Sequence, residues 1–547
     1  MTYQPSRIDW ELTVPDFPFD HSRTWKVAAS AGCGKSYQIK KAIEDLVFKR
    51  KVDPAKIMYI VFNKKPADEF IEKLRIEGII QNSKQAPWMG TFSATCLKLI
   101  GVKVLDHSGL HKLGAQYGMD FREHKDDEKT DWDKVMDGLQ LKIHNEIETF
   151  DPYERKLLEK LKIEESDNGF YTFFRISQIA ILRNAVPVGI EYVFIDEAQD
   201  NSKLEYRYFE YLKTVETIKG IMLVGDDKQA INSFKGGRWD LFLDFEAERN
   251  VCLGMTYRCA PQILKLANAV ARPILNRSPL TEQSNVKENG SVEYYEYLED
   301  SIRDMCDEIK KKHSVYVLYR AGEHIRNQAL FVLNSYNVPV HSVITDRVLK
   351  TFHAMRAAAA RGFLTINDLM SMTPSDQPMA GEMNKTAYWH RGVLDRIKEG
   401  KFSLDIESEI HQRIEYENLF WGKEEVNLAA LGFSDDFWKD IAGTLHNRIP
   451  RGIWRGVSDD QIVSLEQKIK TYGIDMGYAV VSTVHSIKGG EADTVILLQN
   501  VVRAVEDTEQ YNPDEERRVW YVGITRAKTR LMITKVHDKS RKVTSLI

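Results

Sequence analysis

Six short apolar runs punctuate the chain: Thr24 to Ala28, Ile57 to Phe62, Tyr192 to Ile195, Ile221 to Val224, Val315 to Tyr319 and Val480 to Val484. Each is rich in β-forming residues and is followed by a helical pattern, an alternation that predicts α/β units around parallel sheets. After the first run, Ile39, Ala42, Ile43, Leu46 and Val47 recur at helical spacing and would bury one face against the sheet. A helix is therefore predicted to begin near Lys35. Two long tracts lack the alternation. The first, about residues 101–186, is charge-dense from Arg122 to Asp137 and otherwise helical, with Tyr153 to Ile163 as its clearest piece. The second, about 343–477, holds helical runs at Val348 to Arg361 and Ile406 to Asn418, broken at Thr373 to Pro378 and Ile449 to Gly456. Both are read as insertions into the α/β units.

Composition bounds this picture. A chain of 547 residues is enough for about three to five structural units. With 43% hydrophobic and 29% charged residues it can bury large cores, which excludes disorder as the main state. No run of about 18 apolar residues occurs, and Met1 to Trp10 lacks the layout of a secretory leader, so neither membrane insertion nor secretion is expected. Five scattered cysteines without a CxxC pair argue against a disulfide framework or a zinc site and suit a reducing cytoplasm. The net charge of −4 gives no global attraction to nucleic acid, so local patches must carry any such binding. One candidate patch, otherwise a solvated basic tail, is Arg517 to Ile547, where nine Lys or Arg residues face the single acid Asp538.

Two motifs carry chemistry. Ala29-Ser30-Ala31-Gly32-Cys33-Gly34-Lys35-Ser36 lies between the first strand and the first helix, the setting a Walker A loop requires. Its backbone N–H groups and the helix N-terminus can wrap phosphate oxygens, Lys35 would reach the β and γ phosphates, and Ser36 would ligate Mg²⁺. Asp196 and Glu197 end the apolar run that starts at Tyr192. Adjacent carboxylates there are costly to bury without a cation, so Asp196 is assigned to Mg²⁺ and Glu197 to the base that orients or deprotonates the attacking water. An NTPase follows.

An ordered series extends from these motifs: Asp196-Glu197-Ala198-Gln199-Asp200, Val224 to Gln229, Thr256-Tyr257-Arg258, Val315 to Arg320, Thr483 to Glu491 and Tyr521 to Ala527. The series resembles the superfamily 1A DNA helicases of the UvrD/Rep/PcrA type. The resemblance implies two RecA-like parallel-sheet lobes, 1A (1–100 and 187–250) and 2A (251–342 and 478–547), with mainly helical insertions 1B (101–186) and 2B (343–477). It implies ATP and Mg²⁺ in a cleft between the lobes, with Gln229 sensing the γ-phosphate and Arg258 and Arg526 reaching it from the second lobe. Tyr257 resembles the adenine-stacking tyrosine, and Glu491 matches the acid near the ribose. On the strand-binding face it implies Phe62, Thr91, Phe92 and Phe234, with Thr483 and His485 in the motif that couples DNA to ATP. Aromatic rings there suit single strands because every base offers a π-face.

The sequence departs from the family pattern at several of these places. Lys64 stands for an asparagine, Ser93 for a histidine, Asn232 for a base-stacking tyrosine and Gly490 for a leucine; Tyr37 takes the place of an arginine that flanks adenine. Gln4 is the only glutamine before the loop. The function expected is an ATP-dependent single-stranded DNA translocase that unwinds tailed duplex 3′ to 5′, with protein partners engaged through the insertions and no membrane. The polarity comes from the resemblance of His485 to Gly489 to the 1A branch. The setting expected is the cytoplasm of a bacterial or phage-infected cell. The alternative class is an ATP-gated DNA-binding or protein-displacing subunit that unwinds little.

Overall fold

The computed structural model describes residues 8–105, 107–116, 131–342, 459–473, 475–537 and 542–547, with short pieces between 348 and 449. The chain divides into two compact units. One comprises Met1–Tyr294, Leu318–Ile325 and Ser482–Ile547, the other Tyr295–Val317 and Arg326–Val481.

The strands in chain order are β1 (Glu11–Thr13), β2 (Thr24–Ala29), β3 (Ile57–Val61), β4 (Met89–Thr91), β5 (Lys103–Val104), β6 (Phe170–Tyr171), β7 (Tyr192–Ile195), β8 (Gly220–Gly225) and β9 (Arg249–Leu253). They continue with β10 (Met255–Thr256), β11 (Gln283–Ser284), β12 (Ser291–Tyr294), β13 (Val315–Tyr319), β14 (Ala479–Thr483), β15 (Ala492–Leu498) and β16 (Ala527–Thr534). Seven form one sheet in the order β1-β9-β2-β8-β7-β3-β4, every pair parallel. A second, five-stranded sheet runs β12-β16-β15-β13-β14.

The first sheet explains why its strands read as unbroken apolar runs. Successive side chains point to opposite faces, and both faces are covered. Trp25, Val27, Ile57, Tyr59, Val61, Tyr192, Phe194, Met222 and Val224 enter one core. Their neighbours Ala28, Met58, Ile60, Val193, Ile195, Ile221 and Leu223 enter the other. The helix Lys35–Glu44 starts at the residue predicted, and Ile39, Ala42 and Ile43 are buried on its sheet-facing side.

The first insertion is mainly helical. His107–Gln116, Asp131–His144, Pro152–Asp167 and Phe173–Leu182 are its helices, and Leu139, Ile143, Leu157, Leu161 and Phe174 share a core separate from the sheet cores. Asp151 caps the third of these helices with a full capping box closed by Glu154, which is why the run was legible. In the second insertion, Asp459–Tyr472 is helical and packs Ile462, Leu465 and Ile469 against Val348, Leu349 and Phe352. Ile406 to Asn418 and Thr373 to Pro378 lie outside the described residues.

Two sequence expectations need correction. β9 pairs with β1 and β2, so residues 251–253 belong to the first sheet, although the sequence boundary at 250 gave them to the second lobe. The basic stretch from Arg517 is not a solvated tail. Its first part is the helix Pro513–Ile524 and strand β16, with Arg518 and Arg526 buried. Arg517 pairs with Asp514, Arg530 with Glu293 and Lys542 with Glu506. Those charges are spent on acids within the fold.

Candidate active site

Every residue of the nucleotide site lies in the first unit. β2 ends at Ala29, and the loop that follows turns through two glycines with positive φ, Gly32 at 71° and Gly34 at 89°. Both conformations favour glycine, and space forbids a side chain as well. A Cβ on Gly32 would lie 2.3 Å from the Arg258 Cβ, and one on Gly34 would lie 2.8 Å from the Pro15 ring. The loop is tied to the segment after β9 by Thr256, whose hydroxyl donates to the Ala31 carbonyl at 2.9 Å, and by the Tyr257 N–H to the Gly32 carbonyl at 2.8 Å. Tyr257 and Tyr37 are both exposed at this loop. Cys33 is fully buried behind it.

The acid pair sits at the end of β7, two strands from β2 across β8. The Lys35 ammonium is 3.1 Å from the Glu197 carboxylate. The Ser36 hydroxyl donates to Asp196 at 3.3 Å, and the Tyr59 hydroxyl donates to the same oxygen at 3.2 Å. Glu197 itself has φ 51°, a left-handed conformation that a non-glycine residue rarely adopts, and its N–H donates back to the Asp196 carboxylate at 2.8 Å. Burial and the adjacent Glu197 push the Asp196 carboxyl above its usual range. Against the burial that alone would raise it, Lys35 and Lys488 hold the Glu197 carboxyl below that range. Asp196 and the Ser36 hydroxyl supply hard oxygen donors of the kind Mg²⁺ takes alongside phosphate oxygens. The excess proton affinity of Asp196 marks a carboxylate short of positive charge, which a divalent cation would relieve. The residues therefore fit the metal.

Gln199 and Gln229 extend the network. The Gln199 amide donates to Glu197 at 2.6 Å and accepts the Asp226 N–H at 2.9 Å. Gln229 donates to Asp226 at 2.7 Å, and its carbonyl oxygen accepts from Arg526 at 2.8 Å. Arg526 is 1% exposed, held also by the Val522 and Gly490 carbonyls at 3.0 and 3.1 Å. Burial lowers its guanidinium to about 10, still fully charged at neutral pH. Arg258 is oriented differently, donating to Glu491 at 2.7 Å, while Lys528 lies 3.0 Å from the same carboxylate. Glu491, expected near the ribose, is in this structure the partner of two cations.

Of the strand-facing candidates, Phe62 follows the carboxyl end of β3 and Thr91 and Phe92 stand at that of β4, both strands of the parallel sheet, while Thr483 and His485 stand at the end of β14. Parallel sheets place ligand sites at that edge. Their exposures differ. Phe234 is 50% exposed, with the His485 ring 5.7 Å away edge-on. Phe62 is half-buried. Phe92 is 4% exposed, packed on Tyr208 and Phe209 with ring centroids 5.5 and 6.3 Å away, so its ring serves the core and is not offered to a base. The Thr91 hydroxyl accepts the Ala94 N–H at 3.3 Å as a helix N-cap. Thr483 bonds Ser486 at 2.8 Å. Burial, then Arg320 and Lys488, lowers His485 to about 4, so its imidazole is neutral.

Sequence reasoning passed over Lys488, which joins the two halves of the site. Its ammonium donates to Asp200 at 2.5 Å and to the Gln229 carbonyl at 2.8 Å. It stood inside a quoted motif, as did Gln199 and Asp200, and could have been chosen there. The Arg320 guanidinium forms a two-pronged pair with the fully buried Glu516 at 2.7 and 2.8 Å. Tyr59 carried no such signal, because a strand tyrosine in an apolar run reads as core.

The sequence matches the UvrD/REP helicase N-terminal domain over residues 19–165 and 121–250 and the UvrD-like helicase C-terminal domain over 461–538. The chain is 22% identical to a probable DNA helicase II homolog of Mycoplasma capricolum subsp. capricolum, across 93% of this chain and 82% of that protein. It is 20% identical to the ATP-dependent DNA helicase PcrA of Staphylococcus epidermidis, across 93% and 80%. With PcrA of Bacillus subtilis it shares 23% over 54% of this chain and 45% of that one. Together with the ordered loop, acid pair, glutamine and arginines, these matches identify the chain as a member of the UvrD/Rep family of helicases.

Proposed function

We propose that the protein is an ATP-dependent DNA helicase that translocates along single-stranded DNA and unwinds tailed duplex 3′ to 5′. One observation carries the coupling. Two short segments each have one end in the nucleotide site and the other at the strand-facing edge. Gln229, bonded to Arg526, is followed within five residues by the exposed Phe234 ring. Lys488, bonded to Asp200 and the Gln229 carbonyl, follows within three residues of His485, whose ring meets Phe234. A displacement of either segment on nucleotide binding therefore moves groups at both ends.

In the nucleotide site Lys35 would exchange Glu197 for phosphate oxygens, leaving Glu197 as a free carboxylate to accept a proton from water. Mg²⁺ held by Ser36 and Asp196 would neutralise phosphate charge. Arg526 and Arg258 would supply guanidinium charge to the transferring phosphoryl group, with Gln229 oriented beside Arg526. On the strand side Phe62 and Phe234 stack on bases, and Thr91 and Thr483 hold backbone phosphates. The lobe and insertion limits given above, with residues 251–253 moved to the first lobe, serve as the domain map, with sequence-tolerant DNA as substrate and protein partners at the insertions. Among the described residues no helix is long and apolar enough to cross a membrane. We place the protein in the cytoplasm of a bacterial or phage-infected cell.

The test is ATP hydrolysis with and without single-stranded DNA, beside unwinding of duplexes carrying a 3′ or a 5′ tail. Stimulation by the strand with unwinding of only the 3′-tailed duplex is expected. Unwinding from the 5′ tail reverses the polarity. Stimulation without unwinding from either tail leaves a translocase that displaces bound proteins.

A further inference from the structure

The second unit contains a half-open cavity of about 490 Å³. It runs between the helices Glu323–Ser335 and Asp459–Tyr472. Arg326, Leu330 and Asn334 recur at four-residue spacing on one wall, and Gln461, Leu465 and Lys468 recur at helical spacing on the other. The end wall is rigid. Val340 and Ala479 form a parallel β-bridge, the His341 N–H donates to the Ala479 carbonyl at 2.8 Å, and the Ala479 N–H donates to Pro339 at 2.8 Å. That bridge sets the His341 and Tyr478 rings side by side, 5.2 Å apart and tilted by 46°.

The lining has one sign of charge. Arg326 and Lys468 line it, and among the described residues no aspartate or glutamate does. Among the described residues neither cation has a carboxylate partner. Burial alone, with no compensating acid, lowers the Lys468 ammonium below its usual range. An anion is what such a cation lacks. Two rings line the cavity against which a planar base can lie, Asn334 carries a paired donor and acceptor for a base edge, and the aliphatic floor is apolar. The size lies within the range of small-molecule sites, about 300–1,000 Å³.

We propose that this cavity binds a nucleotide unit, an aromatic base with its phosphate, at a site distinct from the Walker loop. The phosphate meets Lys468 and Arg326 while the base lies against Tyr478 and His341. The unit comes either as a free nucleotide or as one residue of a nucleic-acid strand. Neither source depends on the ATP-hydrolysis reading, because no residue of the cavity belongs to the nucleotide site described above.

The experiment uses the full chain and two photo-reactive probes, 8-azido-AMP and an oligonucleotide carrying 5-iodouracil, with the adducts mapped by peptide mass spectrometry. An adduct on the peptide bearing Tyr478 or His341 is expected, competed by millimolar inorganic phosphate. Lys468→Glu should weaken labelling at that peptide about tenfold, the loss of one charge-assisted contact. Tyr478→Leu should do the same, with thermal melting of both variants reporting that they are folded. Should Lys468→Glu not fold, Lys468→Gln takes its place. Labelling by 8-azido-AMP alone assigns a free nucleotide, and labelling by the oligonucleotide alone assigns a strand. The proposal is overturned if both probes label only elsewhere, or if the charge change leaves labelling of this peptide undiminished.

Discussion

The candidate nucleotide site and the candidate strand-facing edge differ in what they demand of their residue types. In the nucleotide site each residue type is dictated by charge. Lys35, Asp196, Glu197 and Arg526 are ionised groups in places where burial penalises charge, and each is held by an opposite charge or a hydrogen bond. Such groups are not found there without a reason, so their motif is informative. At the strand-facing edge the dictated property is exposure of an aromatic ring, and an aromatic ring is equally at home in a core. Phe234 and Phe92 both stand at motif positions, but one is 50% exposed and the other 4%. A motif fixes position along the chain; the packing of neighbouring helices decides which face a ring presents.

The largest effect should come from Lys35→Ala, which removes the loop's positive partner for phosphate and should reduce strand-stimulated ATP hydrolysis to background. Steady-state turnover at saturating single-stranded DNA measures it, and wild-type turnover would sink the site assignment. Glu197→Gln should lower turnover by about 10²–10⁴-fold while leaving nucleotide affinity intact, since the amide keeps the shape but cannot accept a proton. If affinity, read by fluorescent-nucleotide titration, collapses with turnover, Glu197 acts only as the counter-charge of Lys35.

The aromatic pair sharpens the comparison directly. Phe92→Ala opens a cavity beside Tyr208 and Phe209 and should cost about 3–5 kcal/mol of stability. Phe234→Ala should leave denaturant unfolding nearly unchanged and weaken single-strand binding by about 1–3 kcal/mol, one lost base stack. Unfolding midpoints and strand titrations on both variants give the four numbers. A Phe234→Ala protein with normal strand affinity and full stimulation would show that the strand runs elsewhere.

The same contrast governs what was legible. Four of the six apolar runs are strands of the first sheet, where burial on both faces leaves few polar positions, Lys26 among them, and the helix after the Walker loop begins at Lys35 because the loop's glycines end there. The 250 boundary failed because β9 is a strand of the first sheet that precedes the second lobe without a break in pattern. The basic segment from Arg517, left open by the sequence between a binding patch and a solvated tail, shows what a count of charges ignores, the acids brought near by folding: Glu293 lies 237 residues before Arg530 in the chain. Lys488 and Glu516 belong to the same class, pairs whose partners are distant in sequence. Tyr59, hydroxyl-bonded to Asp196 from the neighbouring strand, is invisible to any local pattern.

The smallest expected effect concerns His485, at the meeting point of the two regions. Its ordinary value near 6.5 falls to about 4, first through burial and then through Arg320 and Lys488. Between those values the unfolded chain binds a proton that the folded one excludes, so stability rises with pH and is lost as pH falls from about 6.5 towards 4. Asp196 contributes the opposite slope over part of this window, because its folded carboxyl holds a proton more tightly than the unfolded one. The histidine is therefore isolated by difference. Unfolding free energies of the wild type and of His485→Gln, measured from pH 4 to 8, should separate as pH rises from about 4 to 6.5, with the wild-type curve the steeper there, and run parallel above it. Parallel curves would mean that the imidazole titrates freely in the folded protein. In that case a proton taken up below about pH 6.5 would charge the ring in the folded protein as readily as in the unfolded one, and its contact with Phe234 would not depend on a buried neutral imidazole.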